Sequence, residues 1–239
     1  MIAREIGAFR GDRRVLALIV VAALALTGRA WLAEHPEHDP GAPLNLNDPR
    51  GWATATKLAA LRSDVPECRA VLERSGVAFT PLDPVGEGEC RREDRLTLAE
   101  APLSPASPQL TCPVAAGLQM WIDKDVQRLA EETLDTRVAR IDQLGTYSCR
   151  RMYGAATGGW SEHATGNAID IAGFVMEDGR HVSILRDWAG DTPESEFLQS
   201  VRDAACQSFG TVLSPDYNAA HADHLHLDQG RALVMGACR

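Results

Sequence analysis

The chain has 239 residues, of which 45% are hydrophobic, and a formal net charge of −9. This length and apolar content suffice for one domain with a sizeable core and short extensions. Nucleic-acid binding needs clustered Lys and Arg to neutralise phosphates, and this acidic chain has no long basic run, so we expect no nucleic-acid partner.

Residues 1–33 have the pattern of an export signal or a single-span membrane anchor, because arginines precede an apolar run from Val15 to Leu26. The arginines before the run are Arg4, Arg10, Arg13 and Arg14. The run is shorter than the roughly 20 apolar residues that cross a bilayer, and lengthening it through Ala33 includes Arg29. The sequence is equally compatible with cleavage of this segment after export and with its retention as an anchor in the inner membrane. In either case the rest of the chain is expected in the periplasm.

Residues 34–51 are rich in Pro, Asp, Asn and Gly and are predicted to form a linker, which leaves residues 52–239 as the folded domain. The first predicted elements of that domain are short. They are a helix at 52–62, a helix at 67–74 that ends at a left-handed Gly76, a strand at 77–79, and a mostly loop region at 80–108 that is rich in proline.

The clearest helix begins at Pro113 and ends near Leu134, because apolar residues recur in it at helical spacing and leave Trp121 beside the apolar stripe, in the core. The remaining predicted elements are strands at 138–147, 168–176 and 181–185, a helix at 193–209, and strands at 211–213 and 223–228. The strands at 168–176 and 181–185 are predicted to form a hairpin through an Asp-Gly turn. Without regular β-α-β alternation, they predict an α+β fold with a mostly antiparallel central sheet and flanking helices.

The six cysteines are an even number, which in an exported chain suggests disulfides. They allow 15 connectivities, and pairing them in chain order is the simplest assumption. That assumption gives Cys68–Cys90, Cys112–Cys149 and Cys206–Cys238. The chain has no Cys-x-x-Cys motif, so a closed structural zinc site is not expected.

Two stretches near the C-terminus supply the residue types of a catalytic zinc site. Residues 161–170 read Ser-Glu-His-Ala-Thr-Gly-Asn-Ala-Ile-Asp, and residues 221–226 read His-Ala-Asp-His-Leu-His. A catalytic zinc ion takes three N or O ligands from the protein and leaves a position open. These stretches therefore predict such a site, provided that they meet in space.

Strand alternation predicts which side chains of the two stretches share a face. In the second stretch His224, His226 and Asp228 should project together, because side chains two apart in a strand lie on the same side. In the first stretch Asp170 is flanked by isoleucines and should sit on a strand, where a buried carboxylate must be paired or bound to metal. A salt bridge to Arg150 or to the next arginine is the alternative for this carboxylate.

The pattern Ser-Glu-His-x-x-Gly-x-Ala-x-Asp followed by His-x-His resembles the zinc D-Ala-D-Ala carboxypeptidases and dipeptidases and the related murein endopeptidases. Residues 110–113, 147–150 and 215–221 read Leu-Thr-Cys-Pro, Tyr-Ser-Cys-Arg and Pro-Asp-Tyr-Asn-Ala-Ala-His, and with them the chain is more specifically similar to the bacterial extensin-like C-terminal domain proteins over roughly residues 55–239. The resemblance implies a zinc fold of the D-Ala-D-Ala metallopeptidase and hedgehog type.

The resemblance also implies roles for individual residues. It implies His163, Asp170 and His226 as ligands of Zn²⁺. The general base is left among three candidates, with His224 and Asp223 ranked equal and His221 behind them. Arg150 resembles the arginine that such enzymes place near the substrate, where a guanidinium grips a carboxylate or a developing oxyanion.

The function implied is hydrolysis of amide bonds in the peptidoglycan stem peptides or cross-links of the cell envelope, with Ser161 as a further substrate contact. An inactive zinc-containing domain that binds the cell wall is the alternative, as the hedgehog signalling domain illustrates, and a metal-free wall-binding module is a third. The presence of base candidates beside the ligands favours the enzyme.

Overall fold

The computed structural model describes residues 10–230 and 237–239. Arg4 lies outside the described residues. The first helix, α1 (Arg10–Glu34), runs eight residues beyond the predicted apolar run and is long and apolar enough to cross a membrane, a property that it shares with export signals near an N-terminus. The predicted apolar segment is thus part of one exposed helix, whose length and composition are those of an export signal or a membrane anchor.

Residues 36–51, predicted as part of a linker, pack against the domain. A 3-10 turn at Pro36–His38 is followed by Leu44 and Leu46, which lie in the core with at most 7% of their surface exposed. The backbone N–H of Leu46 donates to the Ser75 hydroxyl at 2.9 Å. The segment was predicted as a linker because most of its residues are polar, but its two leucines are buried in the core. The domain therefore begins close to the end of α1 and not at residue 52.

The next elements follow the predictions with small shifts. Helices α2 (Thr54–Ala60) and α3 (Val65–Arg74) form as expected, and Gly76 is left-handed with φ +72°. Three short strands then appear where one strand and a loop were predicted: β1 (Phe79–Pro81), β2 (Leu96–Leu98) and β3 (Leu103–Ser104). Strands this short carry too little alternation to be recognised in a proline-rich stretch.

The long predicted helix is confirmed as a continuous helical run with a π-turn in the middle. It consists of α4 (Cys112–Trp121), the π-turn Ile122–Val126 and α5 (Gln127–Leu134). Trp121 is fully buried, and its indole N–H donates to the Val201 carbonyl at 2.8 Å. That carbonyl belongs to α7 (Pro193–Ala205), which follows the short helix α6 (Ile184–Asp187) and ends four residues before the predicted end.

The central sheet is α+β in character and mostly antiparallel, as predicted. The remaining strands are β4 (Val138–Gly145), β5 (Ala168–Met176), β6 (His181–Ser183), β7 (Thr211–Leu213), β8 (Leu225–Asp228) and β9 (Ala237–Cys238). The order is β3-β4-β5-β8-β7-β9, with β6 also paired to β5, and among the described strands only the β3–β4 and β7–β9 pairings are parallel. The predicted last strand begins two residues late and is followed by β9.

All six cysteines form disulfides, but two of the three predicted pairings are wrong. The bonds are Cys68–Cys112, Cys90–Cys149 and Cys206–Cys238, of which only the last was predicted. Cys68 lies on α3, which packs against α4, so its nearest partner is the cysteine at the start of α4 rather than the next one in the chain. Three disulfides are typical of exported proteins.

Candidate metal centre

The two sequence stretches meet in the central sheet, where β5 and β8 are antiparallel neighbours. Asp170 of β5 is in register opposite His226 of β8. Their flanking residues alternate as predicted, and the four residues on the other face are fully buried: Ile169, Ile171, Leu225 and Leu227. The apolar face of the two strands thus belongs to the core, and the opposite face presents the carboxylate and the imidazole together.

His163 reaches the same place from a 3-10 turn at Glu162–Thr165, just before β5. The Ser161 hydroxyl accepts from the His163 backbone N–H at 3.3 Å and caps the start of this turn. Gly166 ends it in a left-handed conformation with φ +76°, which turns the chain into β5. The turn holds the His163 side chain over the strand pair, with 5% of that side chain exposed.

Three potential ligand atoms converge at this point. His163 Nε2 lies 3.1 Å from Asp170 Oδ1 and 3.1 Å from His226 Nδ1, and His226 Nδ1 lies 3.0 Å from Asp170 Oδ1. These residues are the three predicted zinc ligands, and among the described residues they make up the group that could hold a metal ion.

The donor set and its spacing fit zinc. Zinc takes imidazole nitrogen and carboxylate oxygen at about 2.0–2.2 Å, which at tetrahedral angles separates the ligand atoms by about 3.3 Å. The separations of 3.0–3.1 Å are close to this value. One ion could therefore be held by all three atoms after small side-chain shifts, next to the cavity.

The charges of the cluster are strongly coupled. Burial tends to raise the pKa of Asp170, but hydrogen bonds and charge attraction from His163 and His226 outweigh it and hold this pKa far below its ordinary value. Burial tends to lower the pKa of His226, but its hydrogen bonds to Asp170 and Asp228 raise it to about 9. The metal-free cluster is therefore a carboxylate joined to an imidazolium.

Asp228 contacts the ring nitrogen of His226 that is not directed at the other two potential ligands. Strand alternation placed the two residues on one face but did not predict this contact. Its Oδ2 lies 3.0 Å from His226 Nε2, and its Oδ1 accepts from the Gly230 backbone N–H at 2.8 Å. A metal-binding histidine usually donates its second ring N–H to such a carboxylate, which fixes the tautomer and ring orientation. The spacing His-x-Asp on one strand face was the signal for this pair.

A cavity of about 210 Å³ opens above the three potential ligands. His224 lines it, and its Nε2 lies 3.6 Å from Asp170 Oδ1. The other ring nitrogen, Nδ1, lies 2.8 Å from Asp223 Oδ1. Asp223 is exposed and does not line the cavity, so of these two base candidates only His224 faces the space where a substrate would lie.

His221 is the third base candidate and lies in the same wall. Burial, followed by repulsion from His224 and His226, lowers its pKa to about 4, so this imidazole is neutral. Its Nδ1 lies 2.8 Å from the Asn218 side-chain oxygen. The amide nitrogen of Asn218 in turn donates to the Tyr153 hydroxyl at 3.2 Å, which links two segments across the cavity.

The predicted substrate residues Arg150 and Ser161 both line the cavity. The Arg150 side chain is exposed, and its backbone carbonyl accepts from the Ser161 N–H at 3.1 Å. Three aromatic residues that were not predicted as site residues complete the walls: Tyr153, Trp160 and Tyr217. An arginine, a histidine and aromatic walls around the three potential ligands would suit a peptide amide with a nearby carboxylate.

Comparison with protein-family models gave a match over residues 66–239 to the family described as "Extensin-like protein C-terminus". The matched range contains the three potential ligands, the cavity and all six cysteines. Comparison with curated proteins and with solved structures gave no match.

Proposed function

The chain belongs to the extensin-like protein C-terminus family, and we propose that it is a zinc-dependent peptidase that hydrolyses amide bonds in peptidoglycan stem peptides or cross-links. Its zinc ligands would be His163, Asp170 and His226, in a fold of the D-Ala-D-Ala metallopeptidase type. The proposed place of action is the periplasm, in keeping with the apolar N-terminal helix and the three disulfides.

The observation that carries the proposal is the convergence of two imidazole nitrogens and one carboxylate oxygen, 3.0–3.1 Å apart, at the floor of an open cavity. A structural zinc site would be closed by a fourth protein ligand, whereas a catalytic site has three and an open position. A bound zinc ion would lower the pKa of water toward about 7 and polarise the scissile carbonyl.

We assign the general base to His224. Asp223 Oδ1 beside Nδ1 favours the tautomer with its proton on that nitrogen, which would leave Nε2 to accept a proton from water in the cavity. The same Nε2 would later deliver the proton to the leaving amine. Asp223 would act by orienting His224, and His221 would contribute a neutral wall beside it.

Arg150 would hold the substrate. An exposed guanidinium at the cavity edge can grip a peptide carboxylate with two parallel hydrogen bonds or steady the oxyanion that develops at the scissile carbonyl. Ser161 lies next to it, where its hydroxyl already caps the turn that carries His163, so substitution of Ser161 would affect the ligand as well as the substrate.

Metal content and turnover together test the proposal. The purified protein is analysed by atomic spectroscopy, which also identifies the metal, since two histidines and a carboxylate serve iron in other enzymes. Defined muropeptides are then digested with and without chelator and read by mass spectrometry, using His226→Ala and the matched control His181→Ala. Zinc with chelator-sensitive cleavage supports a peptidase. Zinc without any cleavage would leave the wall-binding alternative, and a metal-free protein would refute both.

A further inference from the structure

A cluster of aromatic and histidine rings lies where α1 joins the domain, far along the chain from the metal centre. The rings are Trp31, His35, His38 and Trp52, called the juxtamembrane cluster below. The Trp31 ring stacks on His35 at 4.4 Å between centroids, and Trp52 lies 4.5 Å from His38. Trp52 nonetheless leaves 78% of its surface exposed and Trp31 leaves 39%, so the cluster is an apolar patch on the surface.

Only two residues separate the end of α1 from the first buried residue of the domain. Helix α1 ends at Glu34, and Glu37 is already buried, with its carbonyl accepting from the Ala53 N–H at 3.2 Å. The Pro36 carbonyl accepts from the Lys57 ammonium at 2.6 Å, and His38 Nδ1 accepts from the Trp52 N–H at 3.1 Å. The turn after α1 is therefore fixed to the domain by three hydrogen bonds to residues 52–57.

The length of α1 suits a bilayer. The 16 residues between Arg14 and Trp31 span roughly 24 Å at about 1.5 Å per residue, and a bilayer with a hydrocarbon thickness of about 30 Å can thin locally to match such a segment. Its apolar side chains are exposed along its length. With Arg13 and Arg14 at the opposite end, the positive-inside tendency puts the domain on the exported side. Arg29 lies near the domain end, where a long side chain can extend to the headgroups.

From these observations we propose that α1 is retained as a membrane anchor and that the juxtamembrane cluster inserts into the headgroup region of the same bilayer, which holds the domain directly on the membrane surface. Tryptophan and histidine rings have apolar faces and polar edges, and tryptophan is enriched at this depth of membranes. The inference is independent of the metal chemistry.

The contact is aromatic rather than electrostatic. The chain carries a net charge of −9, and Glu34 and Asp39 lie beside the cluster, so an anionic bilayer surface would repel rather than attract this region. Charge attraction therefore does not explain the proposed contact, and the proposal predicts that the contact survives high salt.

Anchor retention is tested on the full chain, expressed in bacteria with a C-terminal tag. Washed membranes are extracted with alkaline carbonate, and the purified protein is measured by intact mass. Retention predicts a carbonate-resistant protein that still contains residues 10–30. Gly28 and Ala30 are the small residues of a possible cleavage site. A carbonate-soluble product beginning at Trp31 would overturn the proposal.

The surface contact is tested on the same protein in phosphatidylcholine vesicles that contain lipids brominated near the headgroup. The bromines should quench part of the tryptophan fluorescence, and 0.5 M NaCl should not relieve this loss. The Trp52→Phe variant remains anchored by α1, which keeps Trp31, and it should lose the share of the quenching that comes from Trp52. The matched control Trp160→Phe, on the cavity wall, should keep it. Equal quenching of the Trp52→Phe variant and the wild type would overturn the surface contact while leaving the anchor in place.

Discussion

Asp170 and His226 are direct cross-strand partners on β5 and β8, and their side chains meet with Oδ1 and Nδ1 3.0 Å apart. The hydrogen-bonded strand pairing therefore positions two of the three potential ligands before any metal binds. Only His163 comes from a turn, and that turn is held by the Ser161 cap and a left-handed Gly166. Such preorganisation is what a tight metal site requires, because little rearrangement accompanies binding.

Removing one ligand should abolish metal binding. His226→Ala and His163→Ala leave two ligands each, so we expect the purified variants to contain less than about a tenth of the wild-type zinc. His181→Ala is the matched control, since His181 is half exposed and pairs with Asp142 at 3.2 Å away from the site. Atomic spectroscopy of the three proteins checks this. Full zinc in both ligand variants would contradict the assignment.

Asp228→Asn should weaken metal binding without abolishing it. The amide keeps the size of the side chain, and its oxygen can still accept from the Gly230 N–H, but it cannot supply a negative charge to His226 Nε2. Loss of such an outer contact typically lowers metal affinity about 10–100-fold. Competition with a chromogenic chelator measures the affinity. An unchanged value would mean that the contact does not orient the ligand.

Zinc binding should release the proton that His226 Nδ1 holds in the metal-free protein. In the metal-free protein His226 is protonated below its raised pKa of about 9, and its Nδ1 must lose that proton to bind a metal. The apparent affinity should therefore rise with pH, by about tenfold per unit well below this pKa. Asp170 adds no proton, since its pKa is strongly lowered.

Calorimetric titrations between pH 6 and 8, in buffers with different ionisation enthalpies, count the protons released on zinc binding. The Asp228→Asn variant is the control, because Asp170 and Asp228 together raise the pKa of His226, and removing the charge of Asp228 should lower this pKa and shift the pH dependence to lower pH. An affinity independent of pH in the wild type would exclude the protonated metal-free cluster.

His224→Ala should impair turnover while leaving metal content intact. If His224 is the general base, its loss should lower kcat by about 10²–10⁴-fold. Asp223→Asn should have a smaller effect, because Asp223 contacts His224 and not the cavity. Muropeptide digests with zinc-loaded proteins measure both. A greater loss in the Asp223 variant than in the His224 variant would reverse the two roles.

The Cys206–Cys238 bond ties the end of α7 to β9 and closes a sequence separation of 32 residues. The loop-closure estimate for this length is about 3–4 kcal/mol, so replacing both cysteines by alanine should lower the free energy of unfolding by about that amount. Urea denaturation of the metal-free proteins measures the difference. A change below about 1 kcal/mol would show that the β7–β9 pairing holds the C-terminus without the bond.

Local patterns predicted much of the fold and most of the candidate site. The alternation around Asp170 and from His224 to Asp228 indicated which side chains share a strand face, and the structure confirms both faces. The helical run from Cys112 to Leu134 was visible in the same way. These features depend on residues a few positions apart, because the spacing of apolar and polar residues in the sequence follows the periodicity of a strand or a helix.

Other features were decided only when distant segments packed together. The partner of Cys68, the burial of Leu44 and Leu46, and the proximity of His163 to His226 each join residues far apart in the chain. The choice of His224 over Asp223 as the group facing the cavity also came from the tertiary structure. Local periodicity determines on which face of a strand or helix a side chain lies. Which other residues it contacts depends on how distant segments pack into one core, and that packing is a balance between close contacts and the entropy of the chain.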